Sequence, residues 1–199
     1  ITEIYEIKKS TMSKIVILGA GISGHVAASH LRRKLGKEHE VVVVSPNSNY
    51  QWIPSNIWVG VGRMKSKEIL FPLLPLYKKK NIGFKQAKVV SFHPEGDANE
   101  PTPYVMVEYV AGLEASKQEK VTYDYLINGT GPKLAFELTE GLNPGTNKAY
   151  SVCTYMHAEH AWQGLEALIA EMKAGKKAKI LIGTGHAKAT CQGAAFEYI

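Results

Sequence analysis

The chain has 199 residues, 45% of them hydrophobic and 21% charged, a balance that is typical of globular proteins and excludes disordered and collagen-like classes. Its formal net charge of +6 comes from short basic clusters at predicted helix ends and loops, where solvated cations are favourable. No cluster alternates with aromatic residues as a nucleic-acid stacking surface requires, so we expect no nucleic-acid partner. An anionic membrane surface is the weaker alternative to solvated surface charge.

The beginning of the chain lacks the pattern of a signal peptide, and no apolar run is long enough to span a bilayer. Residues 1–12 lie ahead of the first predicted strand and are expected to be a leader or a tag. The two cysteines, Cys153 and Cys191, are too few for a disulfide scaffold. Each is therefore considered as a thiol, and no metal site is predicted.

A strand, a glycine turn, a helix and a second strand open the fold. Residues 14–18 and 40–44 are continuous apolar runs rich in β-branched residues, typical of parallel strands that are covered on both faces. The helix between them is expected to end near Leu35, with Gly36 as its stop. This pattern predicts a βαβ unit with a right-handed crossover.

Three shorter segments follow, at residues 86–92, 103–110 and 120–131. Their alternation of apolar and polar residues predicts a small antiparallel meander that is inserted into the parallel sheet or lies on it.

A second nucleotide-binding unit is predicted to begin near the end of the chain. Residues 158–173 place apolar side chains on one helical face, with Gly175 as the stop, and residues 178–183 read as a strand. The glycine turn "GTGHAK" comes directly after that strand. We therefore expect a first domain at residues 13–150 and the start of a second, truncated one at 151–199.

The turn after the first strand fits the dinucleotide fingerprint G-x-G-x-x-G. It follows a strand and opens a helix, and this context gives the pattern its specificity. The first glycine permits the tight turn, the second lets the backbone approach a pyrophosphate, and the third allows close helix packing. A glycine turn without a ligand is the alternative. The predicted cofactor-binding residues are Gly19, Ala20, Gly21, Ile22, Ser23 and Gly24.

The second strand lacks the acidic residue that usually holds a nucleotide ribose. It ends in "VVVVSPN", so Ser45 is expected to take that role with an uncharged hydrogen bond. Further along, "GTGPKLAF" at residues 129–136 closes a strand with small residues and a proline, which suits a backbone that passes close to a cofactor. A plain strand-to-loop turn is an equal alternative there.

Four stretches resemble the sulfide:quinone oxidoreductases, within the larger group of disulfide-oxidoreductase flavoproteins with two dinucleotide domains. They are "NYQWIPSNIWVGVG", "GTGPKLAF", "SVCTYMHAEHA" and "TCQGAAFEYI", and the resemblance runs from Lys14 to the last residue. It implies an α/β fold in which a Rossmann-type FAD-binding domain, with a parallel sheet and an antiparallel β-meander, is followed by the start of a second Rossmann-like domain.

The resemblance also implies FAD as the cofactor and assigns further residues to it. The adenosine end would lie near the glycine turn, near Ser45 and Pro46, and near the backbone of Lys88 and Val89. The flavin end would be approached by residues from two loops, namely Ile53, Pro54, Thr130, Gly131 and Pro132.

In enzymes of this kind, hydrosulfide attacks a disulfide beside the flavin, one sulfur becomes a persulfide, and electrons leave through the flavin to a membrane quinone. Cys191 matches one member of the redox pair, and Cys153 matches a further cysteine that in some members bonds the flavin. His157 matches a histidine that assists proton or quinone handling, and Glu197 matches an acidic residue near the sulfide site.

The resemblance further implies a peripheral membrane protein with sulfide and a quinone as partners. Contact with the membrane surface would come through elements beyond this chain, and homo-oligomerisation stays open.

Structural roles are the alternatives for these residues: buried cysteines, a histidine that is satisfied by backbone at a helix start, and an exposed helical glutamate. For Cys191 the chemistry itself favours reactivity. It falls in the first turn of a helix predicted from near Ala187, where the helix dipole stabilises a thiolate.

Three functions remain in view. Sulfide:quinone oxidoreductase comes first, a type II NADH dehydrogenase or another NAD(P)H-dependent disulfide reductase is the runner-up, and a non-catalytic nucleotide-binding module is the third. The second glycine turn has Lys188 in place of the third glycine, which compromises a nicotinamide site and favours the first function. The second redox cysteine of the family is not in the sequence, so we expect the chain to be an N-terminal portion that is inactive alone.

Overall fold

The computed structural model describes residues 12–146 and 149–184, which form two compact units. Unit 1 comprises the described residues up to Tyr50 together with Pro72–Gly131, and unit 2 comprises Gln51–Phe71 and the described residues from Pro132 onward. The strands are β1 (Lys14–Leu18), β2 (Glu40–Val44), β3 (Asn49–Gln51), β4 (Leu70–Pro72), β5 (Gly83–Lys85), β6 (Ala87–His93), β7 (Tyr104–Tyr109), β8 (Gln118–Thr122) and β9 (Tyr125–Asn128). The helices are α1 (Ile22–Lys34), α2 (Asn56–Gly60), α3 (Leu73–Lys79) and α4 (Tyr155–Lys173), and 3-10 turns lie at Ile53–Ser55, Ser66–Glu68, Gly112–Glu114 and Phe136–Leu138.

Unit 1 is built around a parallel four-stranded sheet in the order β5-β2-β1-β9. Alternate residues of β1 and β2 point to opposite faces. Ile15, Ile17, Val41 and Val43 pack with α1 and α3, whereas the intervening residues pack with the antiparallel sheet β6-β7-β8. Both faces of the strands are therefore covered, which explains their continuous apolar sequence. The α/β fold class and the first βαβ pattern are confirmed.

A half-buried ion pair joins the antiparallel sheet to the parallel one. The Nζ of Lys85, on β5, lies 2.9 Å from both carboxylate oxygens of Glu119, on β8. The Tyr109 hydroxyl donates to the same carboxylate at 2.6 Å. Burial alone raises the pKa of Glu119, but the hydrogen bonds from Tyr109 and Lys85 outweigh burial and hold that pKa below its ordinary value.

The segment predicted as one strand at residues 120–131 is two strands that belong to different sheets. The Tyr123 N–H still donates to Pro103 O beside the antiparallel sheet, whereas the Asp124 N–H donates to Lys14 O at the start of the parallel sheet. The Asp124 carboxylate also accepts from the Lys14 N–H at 2.6 Å. The chain changes sheets at this corner because Asp124 satisfies the backbone of β1.

In unit 2, α2 packs against α4 through Val59, Ile69 and Ala158. Helix α4 begins three residues before its predicted start because the Thr154 hydroxyl caps it, accepting from the His157 N–H at 3.2 Å. It ends before Gly175, as predicted.

The prediction of a strand at residues 178–183 is wrong, since residues 176–184 form neither strand nor helix. A parallel strand needs a neighbouring strand for its backbone hydrogen bonds, and none is present beside these residues in the described part of unit 2. Leu181 is accordingly 95% exposed.

We predict that Glu119→Gln destabilises unit 1 by about 1 kcal/mol at pH 7, after allowance for solvent screening of a partly exposed pair. Because the folded-state pKa of Glu119 is depressed, its contribution is present above the unfolded pKa of about 4.3 and is lost as pH falls below it. Urea unfolding should show the full difference at pH 7 and a smaller one at pH 3.5, because the contribution is lost progressively as pH falls from the unfolded pKa through the lowered folded-state pKa.

The matched control is Glu114→Gln, which removes the exposed pair between Glu114 and Lys117. We expect no measurable change in stability for this variant. Equal losses in both variants would contradict a specific role for the Lys85–Glu119 pair.

Candidate dinucleotide-binding site

The strand order of unit 1 creates a crevice at one edge of the parallel sheet. From β1 the chain moves to β2 and then β5 on one side, and it returns as β9 on the other side of β1. In open α/β sheets, ligands bind outside the carboxyl ends of the strands at such a reversal of strand order. The Gly19–Gly24 turn follows β1 and residues 129–131 follow β9, so both lie at this edge.

Gly19 and Gly24 are required by the packing of the protein itself. Gly19 has φ +89°, and a Cβ placed on it would lie 2.3 Å from the carbonyl oxygen of Gly129. A Cβ on Gly24 would lie 1.9 Å from the carbonyl oxygen of Gly19. Helix α1 and the ends of two strands therefore come together at a distance that only glycine allows.

Gly21 has a different environment, because a Cβ placed on it would meet no atom within 4 Å. Its φ of −71° is open to any residue, so neither strain nor crowding calls for glycine here. Gly21 is the N-cap of α1, where no side chain caps the helix and the first turn holds no acidic residue. The exposed space and the uncapped amides fit a pyrophosphate, which binds where a backbone without side chain lets it approach a helix N-terminus.

The turn after β9 is held by Asn128, a residue that the sequence analysis did not single out. Its side-chain oxygen accepts from the Thr130 N–H at 3.2 Å and from the Thr130 hydroxyl at 2.8 Å. Gly131 follows with φ +75° and open space around its Cα. An Asn that ends a strand before Gly-Thr-Gly is a local turn signal and could have been recognised.

Ser45 is buried, with 2% of its surface exposed. Its backbone bonds to Lys85 O and the Ala87 N–H, and its hydroxyl oxygen accepts from the Asn47 N–H at 3.3 Å. The hydroxyl thus shapes the turn after β2, and its role toward a ribose stays a prediction. The adjacent Pro46 is exposed.

Lys88 and Val89 lie on β6, in the antiparallel sheet. The Lys88 ammonium pairs with the Glu108 carboxylate at 2.7 Å. The Val89 side chain packs against the apolar cluster between the parallel and the antiparallel sheet. Their predicted part in binding uses backbone atoms, so these side-chain contacts are compatible with it.

Two aromatic side chains, His25 and Tyr77, join the helix that follows the glycine turn to α3. His25 directly follows Gly24, and its Nδ1 lies 3.2 Å from the hydroxyl of Tyr77, on α3. Tyr77 is fully buried, and burial raises its pKa to about 12. Burial, and then the charge of Lys80, lower the pKa of His25. A neutral imidazole therefore ties the first turn of α1 to α3, a contact between residues too distant in sequence to predict.

The remaining predicted site residues belong to unit 2 or lie outside the described residues. Ile53 and Pro54 form an exposed 3-10 turn, and Pro132 begins an exposed loop. Cys191 and Glu197 lie outside the described residues.

Cys153 and His157 lie at the start of α4 in unit 2. The Cys153 side chain is exposed, and its N–H donates to the Ser151 hydroxyl at 3.1 Å. The Nδ1 of His157 is buried without a hydrogen-bond partner in the described structure, and its ring meets the ring of Phe136 edge-on at 5.3 Å. Buried polar atoms in native structures nearly always have a hydrogen-bond partner, so the unbonded Nδ1 makes His157 a candidate for a functional role. Within residues 12–146 and 149–184 no group of side chains has the make-up of a metal site.

Comparison with known proteins gives one family match. The family model described as "Pyridine nucleotide-disulphide oxidoreductase" matches residues 13–187. The sulfide-quinone reductase of Aquifex aeolicus (strain VF5) is 30% identical over 156 residues, which are 78% of this chain and 32% of that protein. The external alternative NAD(P)H-ubiquinone oxidoreductase B4 of Arabidopsis thaliana, a mitochondrial protein, is 28% identical over 120 residues, covering 60% of this chain and 19% of that protein.

Among solved structures, the sulfide:quinone oxidoreductase from Aquifex aeolicus superposes with a TM-score of 0.70 at 25% identity. The match covers 94% of this chain and 38% of that one. The chain thus spans about a third of the length of the sulfide-quinone reductase that it matches in sequence.

We predict opposite outcomes for substitutions at two glycines of the turn. Gly21→Ser places a side chain in open space and adds an N-cap, so stability should stay the same or rise by a few tenths of a kcal/mol. FAD affinity should fall by about tenfold or more, since each charged hydrogen bond lost is worth about 1.5–3 kcal/mol. Thermal melting and the ratio of flavin to protein absorbance measure the two effects.

Gly24→Ala serves as the counterpart because its Cβ would collide with backbone. We expect a loss of about 2–4 kcal/mol in unfolding free energy, as for other overpacked or strained sites. If Gly21→Ser retained full FAD affinity, the assignment of the pyrophosphate to this turn would be wrong.

Proposed function

Since this chain belongs to the pyridine nucleotide-disulphide oxidoreductase family, we propose that the whole protein oxidises sulfide and passes the electrons through FAD to a membrane quinone. The observation that carries the proposal is the 30% identity to a sulfide-quinone reductase over 78% of this chain.

The cofactor is FAD, and unit 1 fits it. The exposed, uncapped start of α1 would hold the pyrophosphate, with Gly21 leaving the space for it. The turn held by Asn128 would lie beside the bound group, because Gly19 and Gly129 already touch. When bound, FAD supplies two-electron redox chemistry.

The reaction we propose is a two-electron oxidation. Hydrosulfide loses two electrons and its proton, and its sulfur is left as zero-valent sulfur in a persulfide. The quinone takes up the two electrons together with two protons, one equivalent to the proton released by hydrosulfide and one from solvent, and becomes a quinol. Cys191 would carry the sulfur as one half of a redox disulfide, and Glu197 would lie near the sulfide.

His157 is proposed to handle protons on the quinone side of the reaction. The unpartnered buried Nδ1 supports this role, since a ring nitrogen without a protein partner is free to exchange a proton with a ligand. Cys153 is proposed as an additional thiol near the flavin, and its exposed side chain at the start of α4 is compatible with that place.

We propose a peripheral membrane location, because the quinone that accepts the electrons is lipid-soluble. Among the described residues, none of the helices combines the length and apolar character needed to cross a bilayer.

A type II NADH:quinone dehydrogenase is the second candidate function. It is favoured by the similarity to the NAD(P)H-ubiquinone oxidoreductase of Arabidopsis thaliana. Against it stands Lys188, which replaces the glycine that allows helix and strand to pack closely in the second turn and thereby compromises a nicotinamide site.

We predict that the whole protein reduces a soluble quinone with sulfide and not with NADH. Parallel assays of quinol formation with each donor, at equal bound FAD, separate the two candidates. Reduction by NADH alone would exclude sulfide:quinone oxidoreductase activity and support the second candidate.

We also predict that Cys191→Ser abolishes reduction of the flavin by sulfide while leaving FAD bound at full stoichiometry. The reason is that serine cannot form the disulfide or the persulfide. Anaerobic titration with sulfide, followed by the flavin absorbance, measures the effect. Reduction of the flavin by sulfide at the wild-type rate would remove Cys191 from the mechanism.

A further inference from the structure

A cleft of about 370 Å³ lies in unit 1 along α1, from His25 in the first turn of this helix to Arg33 in its last turn. Its volume is in the range of small-molecule sites, about 300–1,000 Å³. It is lined by one valine and by six polar residues that are either basic or neutral, namely His25, Ser29, His30, Arg32, Arg33 and Lys80.

Among the residues that the structure describes, the cleft is lined by cationic side chains and by no acidic one. The guanidinium of Arg32 is engaged within the protein, because it donates to the carbonyl oxygens of Leu35, Gly36 and His39 after the end of α1. Arg33 and Lys80 take part in none of the ion pairs that the described structure contains. Two cations thus line one cleft without a counter-charge from residues 12–146 or 149–184.

Two further observations point to an anion in the cleft. The Ser29 hydroxyl is fully buried and has no hydrogen-bond partner in the described structure, although buried polar groups are nearly always bonded. The side chain of His30 is held beside Arg33, with its Nδ1 3.2 Å from the Arg33 guanidinium. A guanidinium and an ammonium that line one cleft, together with the unbonded hydroxyl of a third lining residue, form a donor set that phosphate oxygens bind.

We propose that this cleft binds a phosphate group, with Arg33 and Lys80 as its charged contacts and the Ser29 hydroxyl as a neutral donor. The phosphate contacts are distinct from the FAD site, because Arg33 lies in the last turn of α1 and Lys80 at the end of α3, whereas the pyrophosphate would bind at the N-terminus of α1. The phosphate could belong to a small soluble molecule or to a lipid headgroup, and both present the same anionic oxygens.

The first test is calorimetric titration of the FAD-loaded protein with inorganic phosphate at constant ionic strength. Saturable binding should weaken by about tenfold or more in Arg33→Gln/Lys80→Gln, since two charge-assisted hydrogen bonds are lost. The matched control is Lys34→Gln/Lys79→Gln, which removes the same charge from the same part of the chain without touching the cleft, and it should change affinity less than about twofold.

Ser29→Ala adds an independent readout. Without phosphate this variant should be at least as stable as the wild type, because it removes an unbonded buried hydroxyl. With saturating phosphate it should gain less in melting temperature than the wild type does. Absence of saturable binding, or equal losses in the cleft and control variants, would overturn the proposal.

The source of the phosphate is tested by sedimentation with vesicles of phosphatidylcholine, with and without phosphatidylglycerol. Vesicle binding that requires phosphatidylglycerol, is displaced by free phosphate and is lost in the cleft variant assigns a lipid headgroup. Phosphate binding without vesicle binding assigns a soluble ligand. Vesicle binding that neither free phosphate nor the cleft variant reduces would count against the site.

Discussion

The contact between the backbones of Gly19, Gly24 and Gly129 is the constraint on which the site depends. It brings the turn after β1, the first turn of α1 and the end of β9 closer together than any side chain would permit. The amides at the start of α1 are thereby fixed at the carboxyl edge of the sheet, where strand order reverses. The open space at Gly21 then remains for a ligand, because the protein fills every other glycine position of the turn.

The layers around the sheet support this arrangement from both sides. On one face, the bond between His25 and Tyr77 holds α1 against α3, so the helix start cannot shift without disturbing a fully buried tyrosine. On the other face, the antiparallel sheet packs on the alternate residues of β1 and β2 and is tied to β5 by Lys85 and Glu119. The glycine turn is thus held in place, because the parallel sheet that precedes it is packed on both of its faces.

The features that were predictable from sequence are local ones. Strands β1 and β2 and the glycine turn were predicted with the bounds that the structure has, because apolar runs and the glycine fingerprint act over a few neighbouring residues. The division of residues 120–131 between two sheets was missed, since both strands carry the same pattern and the corner depends on Asp124 meeting Lys14.

Features that depend on distant partners were not predictable. The strand expected at residues 178–183 has no neighbour to pair with in the described part of the chain, and the burial of Ser45 follows from its bonds to Lys85 and Ala87. That Arg33 and Lys80 line one cleft and have no ion-pair partner among the described residues could be seen only once α1 and the end of α3 were placed side by side.

Hydrogen exchange of backbone amides in the FAD-loaded and FAD-depleted protein tests directly where the cofactor binds. FAD should slow exchange at residues 21–24 and 129–131, with little change along the rest of α1. Protection that is absent from these residues, or that is spread evenly over the protein, would contradict the placement of the cofactor at this turn.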